Sequence, residues 1–99
     1  MIVVILTKDG EIDAMKIRTF KIPFTPYFRN LNAMCEIFSS APFHIEMSID
    51  GAGRYINAKS IIGVLSTKFV KDSMVTLRIN DSVPDDEINE IINRIFSIE

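Results

Sequence analysis

The sequence predicts an α+β protein: an antiparallel sheet with helices packed on one face, an open two-layer sandwich. Two patterns carry the prediction. Phe43, Ile45, Met47 and Ile49 alternate with His44, Glu46, Ser48 and Asp50, and Met74 to Ile79 alternates in the same way. A period of two marks strands with one buried face. Leu31, Met34, Cys35 and Phe38, and later Ile88, Ile91, Ile92 and Ile95, recur at i, i+3, i+4 and i+7. That spacing puts them on one side of a helix.

Taken in order, Ile2 to Thr7 is a β-branched run and reads as a strand. Lys8-Asp9-Gly10-Glu11 carries the Asp-Gly signal of a tight hairpin. Met15 to Ile22 is the second strand, ended by Pro23, Thr25 and Pro26. The first helix follows and stops at Pro42. The alternating strand from Phe43 to Ile49 turns at Asp50-Gly51-Ala52-Gly53 and returns over Arg54 to Asn57. A short helix runs from Ser60 to about Lys68, with Gly63 weakening its middle. After the strand at Met74 to Ile79, Ser82 reads as an N-cap, with Pro84, Asp85, Asp86 and Glu87 in the first turn of the last helix. The order is β-α-β-β-α-β-α preceded by one extra strand. It implies a four-stranded antiparallel sheet covered by three helices, with an N-terminal hairpin strand added.

A chain of 99 residues, 47% of them hydrophobic, suits one domain over 1–99. Residues 1–14 form an extension and 15–99 the core. The net charge of −2 does not draw the whole protein to nucleic acid or to an anionic membrane. Tyr27, Phe28 and Arg29 resemble a base-stacking group, but no basic surface accompanies them. Cys35 is the single cysteine, so no internal disulfide forms, and it reads as a small core residue. The apolar start is too short to span a bilayer and lacks a basic lead, so a cytoplasmic location is expected. One histidine and one cysteine give no metal-ligand spacing. No Gly-rich phosphate loop or nucleophile elbow is present, so neither cofactor nor enzymatic activity is expected.

The most informative run is Asn57-Ala58-Lys59-Ser60-Ile61-Ile62-Gly63-Val64-Leu65-Ser66. A polar turn ends in a serine, and an apolar helix follows. The hydroxyl lies where free N–H groups and the positive end of a helix dipole converge, a field that favours a phosphate. An ordinary N-cap role fits Ser60 equally well.

This run, with Thr19-Phe20-Lys21-Ile22, Gly53 and the element order, resembles HPr, the histidine-containing phosphocarrier of the sugar phosphotransferase system. The resemblance covers residues 15 to 99. It implies that Ser60 is a regulatory phosphosite for an HPr-type kinase and that Ile61, Ile62 and Leu65 meet partner proteins. Core packing is the alternative for those three. The family's reactive histidine opens the first helix, and here its position falls on Tyr27 or Arg29. The Tyr27 register is preferred, because the gapless alternative turns Glu36 toward the core, where an unpaired carboxylate is costly. Arg29 then matches the family arginine, as a phosphate-facing residue or a solvated cation.

His44 does not substitute. A helix of about 12 residues, roughly 18 Å long, separates it from that position. The chain is therefore most similar to a histidine-lacking branch, catabolite repression HPr. The resemblance implies a non-catalytic regulatory module with phosphotransferase-system or other regulatory proteins as partners. A phosphocarrier with an unrecognised acceptor, or an assembly protein keeping only the fold, stands as the alternative. Residues 1–14 have no counterpart in the family. Their all-apolar strand Ile2-Val3-Val4-Ile5-Leu6 predicts either a cover for an open sheet edge or a homodimer.

Overall fold

Eight elements follow one another in the computed structural model, which describes residues 2–6 and 12–98. They are β1 (Ile2–Leu6), β2 (Ile12–Lys21), α1 (Phe28–Ser39), β3 (Ile45–Ile49), β4 (Ile56–Asn57), α2 (Ile61–Leu65), β5 (Met74–Asn80) and α3 (Asp85–Ile95). The sheet order is β1-β2-β5-β3-β4, and every neighbouring pair is antiparallel. The Asp9-Gly10 hairpin turn lies outside the described residues.

Register explains the two layers. Phe20 pairs with Val75, Leu77 with Met47, and Ile79 with Ile45, so these side chains share one face of the sheet. All are buried and join one core with Leu31, Met34 and Phe38 of α1, Val64 of α2, and Ile88, Ile91 and Ile95 of α3. The three helices therefore cover that face, and the fold is an open-faced α+β sandwich. On the other face Thr19 meets Thr76, their hydroxyls 3.3 Å apart. There Arg78 donates to Glu46 at 2.7 Å and stacks 4.1 Å over the Tyr55 ring.

Several expected boundaries move. β2 begins at Ile12 instead of Met15, because its first residues pair with β1. Ile22 falls just beyond its end, yet it is buried and its N–H donates to Ser73 O at 2.9 Å. Phe43 and His44 precede β3, and Arg54 and Tyr55 precede β4, which is only two residues long. The turn between them holds left-handed Asp50, Gly51 and Gly53. The Asp50 carboxylate fixes it, accepting from Met74 N–H at 2.8 Å and the Ser73 hydroxyl at 3.2 Å.

Two further expectations need correcting. Ser48 was expected on the solvated side of β3, but it is 4% exposed and its hydroxyl has no hydrogen-bond partner. It sits opposite Thr76 on an interior strand, flanked by β5 and β4, where a short side chain is less accessible than at a sheet edge. Ser82 does not cap α3; the N-cap is Pro84, with no side-chain cap bond. The Asn80 side chain accepts Ser82 N–H at 2.9 Å, which closes a turn before the helix begins.

Candidate functional site

A polar turn positions α2. The Asn57 side chain accepts Lys59 N–H at 3.0 Å, and Ser60 N–H donates to Asn57 O at 3.1 Å. Two contacts tie this turn to the C-terminal end of α1. Lys59 Nζ donates to Ala41 O at 2.7 Å, and the Ser39 hydroxyl donates to Lys59 O at 3.4 Å. Ser60 is extended (φ −95°, ψ 110°), and its Oγ accepts Gly63 N–H at 3.1 Å. It is the N-cap of α2. The helix ends at Leu65 instead of Lys68. The Ser66 and Thr67 hydroxyls bond back to the carbonyls of Gly63 and Val64, both at 2.6 Å, and satisfy the last turn without further helix.

Core packing and exposure divide this helix residue by residue. Val64 is fully buried, and Ile61 is half-buried against the core. Ile62 is 80% exposed and Leu65 45% exposed. Val70 is also exposed, just beyond the helix. Hydroxyl and apolar surface thus share one short element.

The other predicted residues lie elsewhere. Tyr27 is the N-cap of α1, extended and without a side-chain cap bond. Its carbonyl accepts the N–H groups of Asn30 and Leu31, and the Asn30 carboxamide donates to Thr25 O at 2.8 Å, which fixes the helix start. Arg29 is exposed, its guanidinium 5.7 Å from the Tyr27 ring centroid. Glu36 is exposed and accepts from Asn32 at 3.3 Å. Tyr27 and Arg29 stand together at the start of α1, whereas Ser60 stands beside its far end. Twelve helical residues, roughly 18 Å, separate the two groups. His44 is at the Ser60 end; its side chain is 63% exposed, with Nε2 3.8 Å from Glu46.

The strongest charge cluster went unread in the sequence. Lys16 and Arg18 lie on the helix-facing side of β2, and Asp85 at the start of α3 meets them at 2.9 and 2.7 Å. The Lys16 hydrogen bond and charge, with Arg18 behind them, hold the Asp85 carboxyl below its ordinary range. Lys16 also donates to Val83 O at 2.7 Å, so the cluster docks the last helix on the sheet. A lysine and an arginine two residues apart in a strand share a face, which was the available signal. Cys35 is buried, and burial pushes its thiol up to about 11, leaving little thiolate.

Among the described residues no three His, Cys, Asp or Glu side chains group to hold a metal, and no helix is long and apolar enough to cross a membrane. Exposed apolar side chains beside a capping serine suit docking of another protein. No proton-transfer chain is assembled around Tyr27 among the described residues. The chain matches no protein-family model and no curated protein.

Proposed function

We propose that this protein is a non-catalytic, HPr-like binding module of the sugar phosphotransferase system, docking regulatory partners through α2. The observation that carries the reading is the pairing of an exposed Ile62 and Leu65 with Ser60 at the head of the same helix. Large aliphatic side chains left in water mark interaction sites when they cluster. A phosphate on Ser60 joins the end of α2 where backbone N–H groups point outward, and it changes the charge beside the docking residues. Arg29 at the α1 start is a secondary contact, about a helix length away.

The test uses two incubations. With an HPr kinase and ATP, Ser60 takes label and Ser60→Ala does not. With the general phosphotransferase enzyme and phosphoenolpyruvate, no acid-labile phosphohistidine forms. Label on a histidine supports a phosphocarrier instead; label from neither source supports a fold-only assembly role.

The sheet edge favours another copy as an additional partner. β1 is the outermost strand, and its far side carries no strand among the described residues. Ile2 is 60% and Val4 63% exposed. The opposite edge is blunted by a strand of two residues, whereas β1 presents five without a charge or a proline. Antiparallel pairing of β1 with its two-fold mate about Val4 continues the sheet.

A further inference from the structure

The surface around α2 is more basic than the protein as a whole. From Gly51 to Lys71 the chain has Arg54, Lys59, Lys68 and Lys71 and not one acid, although the net charge of the chain is −2. Lys59 is tied to Ala41 O. Arg54, Lys68 and Lys71 are exposed, and none has an acidic partner within 4 Å among the described residues. The two aspartates that flank this segment offset only part of its positive charge. Asp50 directs its oxygens to Met74 N–H and the Ser73 hydroxyl, and Asp72 stands at the far end in a left-handed turn.

Between the β3–β4 hairpin and the last turn of α2 lies a cleft of about 240 Å³. Met47, Ile49 and Ile56 make its apolar lining, and Arg54 and Lys68 stand at it with Asp50, two cations against one carboxylate. Arg54 lies two residues before Ile56, which pairs with Met47, and lines the cleft with both. Ser66, Thr67 and Lys68 line the cleft and follow directly on the exposed Leu65, so the cleft borders the apolar patch. The cleft is smaller than the roughly 300–1,000 Å³ of sites that enclose cofactors or drug-sized ligands. Its apolar lining suits an aliphatic side chain and its cations suit carboxylates beside it.

We infer that the α2 surface receives an acidic polypeptide segment that seats one aliphatic anchor in this cleft and sets carboxylates against Arg54 and Lys68. The inference rests on the docking reading above and gives the partner its chemistry. Apolar contact supplies affinity at the centre, and charge at the rim supplies approach and selection. Partners with a basic rim are turned away by the same cations.

The probe is a short fluorescent peptide of aspartates and glutamates around one central leucine, followed by anisotropy against the full chain. It binds, and binding weakens as sodium chloride rises from 50 to 300 mM because the Debye length shortens. A companion peptide with serine for leucine binds several-fold more weakly. R54E with K68E lowers affinity roughly tenfold, as two exposed attractions become repulsions. Both residues are exposed, so the variant's melting curve should follow that of the parent. Equal binding to the variant, equal binding of the serine peptide, or no binding at millimolar peptide overturns the inference. If the peptide fails while the kinase still labels Ser60, the inference falls and the docking reading stands. If the peptide binds while Ser60 stays unlabelled, the inference and α2 docking stand and the phosphosite reading of Ser60 falls.

Discussion

Replacing Ser60 tests the element on which the functional reading is built. α2 has five residues and only Val64 of them is buried, so tertiary packing holds it weakly. Its Ser60 Oγ accepts Gly63 N–H at 3.1 Å, one of the few bonds that define the helix start. Loss of such a cap costs about 0.5–2 kcal/mol. For a domain of this size each kcal/mol lowers the melting temperature by about 4–8 °C. Ser60→Ala should therefore melt several degrees below the parent in a thermal scan followed by circular dichroism. Ser60→Gly should lose only a few tenths of a kcal/mol, because glycine tolerates the N-cap backbone. Ser60→Asp should retain most of the stability, since its carboxylate accepts the same N–H and suits the helix dipole. Equal losses for alanine and aspartate, or no loss for alanine, refute the capping argument.

Three further outcomes follow from the geometry. Gly63→Ala should stabilise the protein by up to about 1 kcal/mol in a denaturant titration; the added Cβ would meet Ser60 Oγ at 3.4 Å, an ordinary contact, so a net loss shows that the site has no room. Asp85 is held below its ordinary 3.8 by Lys16 and Arg18. Its contribution is thus present above about pH 4 and lost as pH falls through the lowered value, and Asp85→Asn should flatten the acid limb of the stability profile. At the sheet edge, Val4→Lys and Val4→Glu should each sediment as monomers at concentrations where the parent dimerises, and mixing the two should restore the dimer; a parent that remains monomeric at high micromolar concentration rules the dimer out.

The sequence displayed most of the architecture because burial imposes periods. The isoleucine stripe of α3 and the alternation of β5 stand in the fold as their spacing predicts, since each faces the core on one side only. Ser48 escaped that logic: period two identifies a face, but not how accessible a short side chain is on an interior strand. Pro84 took the cap position from Ser82 because the Asn80 turn had already engaged the chain. Lys16 and Arg18 share a face of β2, but only the fold brings Asp85, far along the chain, between them. For the candidate site, the serine cap was written in the polar turn that ends at Ser60 ahead of an apolar run. Which isoleucine faces water was not, because a helix this short has no complete stripe to orient it. Tyr27 and Arg29 fell a helix length from Ser60, so the predicted site residues form two groups.

The central claim is that α2 is the docking surface, and a backbone amide NMR titration of the labelled protein with an HPr kinase tests it most directly. The expected shifts are concentrated at Ser60, Ile61, Ile62 and Leu65, extend to Val70, and are abolished by Ile62→Glu. Shifts confined to the open face around Thr76 and Arg78, or to the start of α1 at Tyr27, would contradict it.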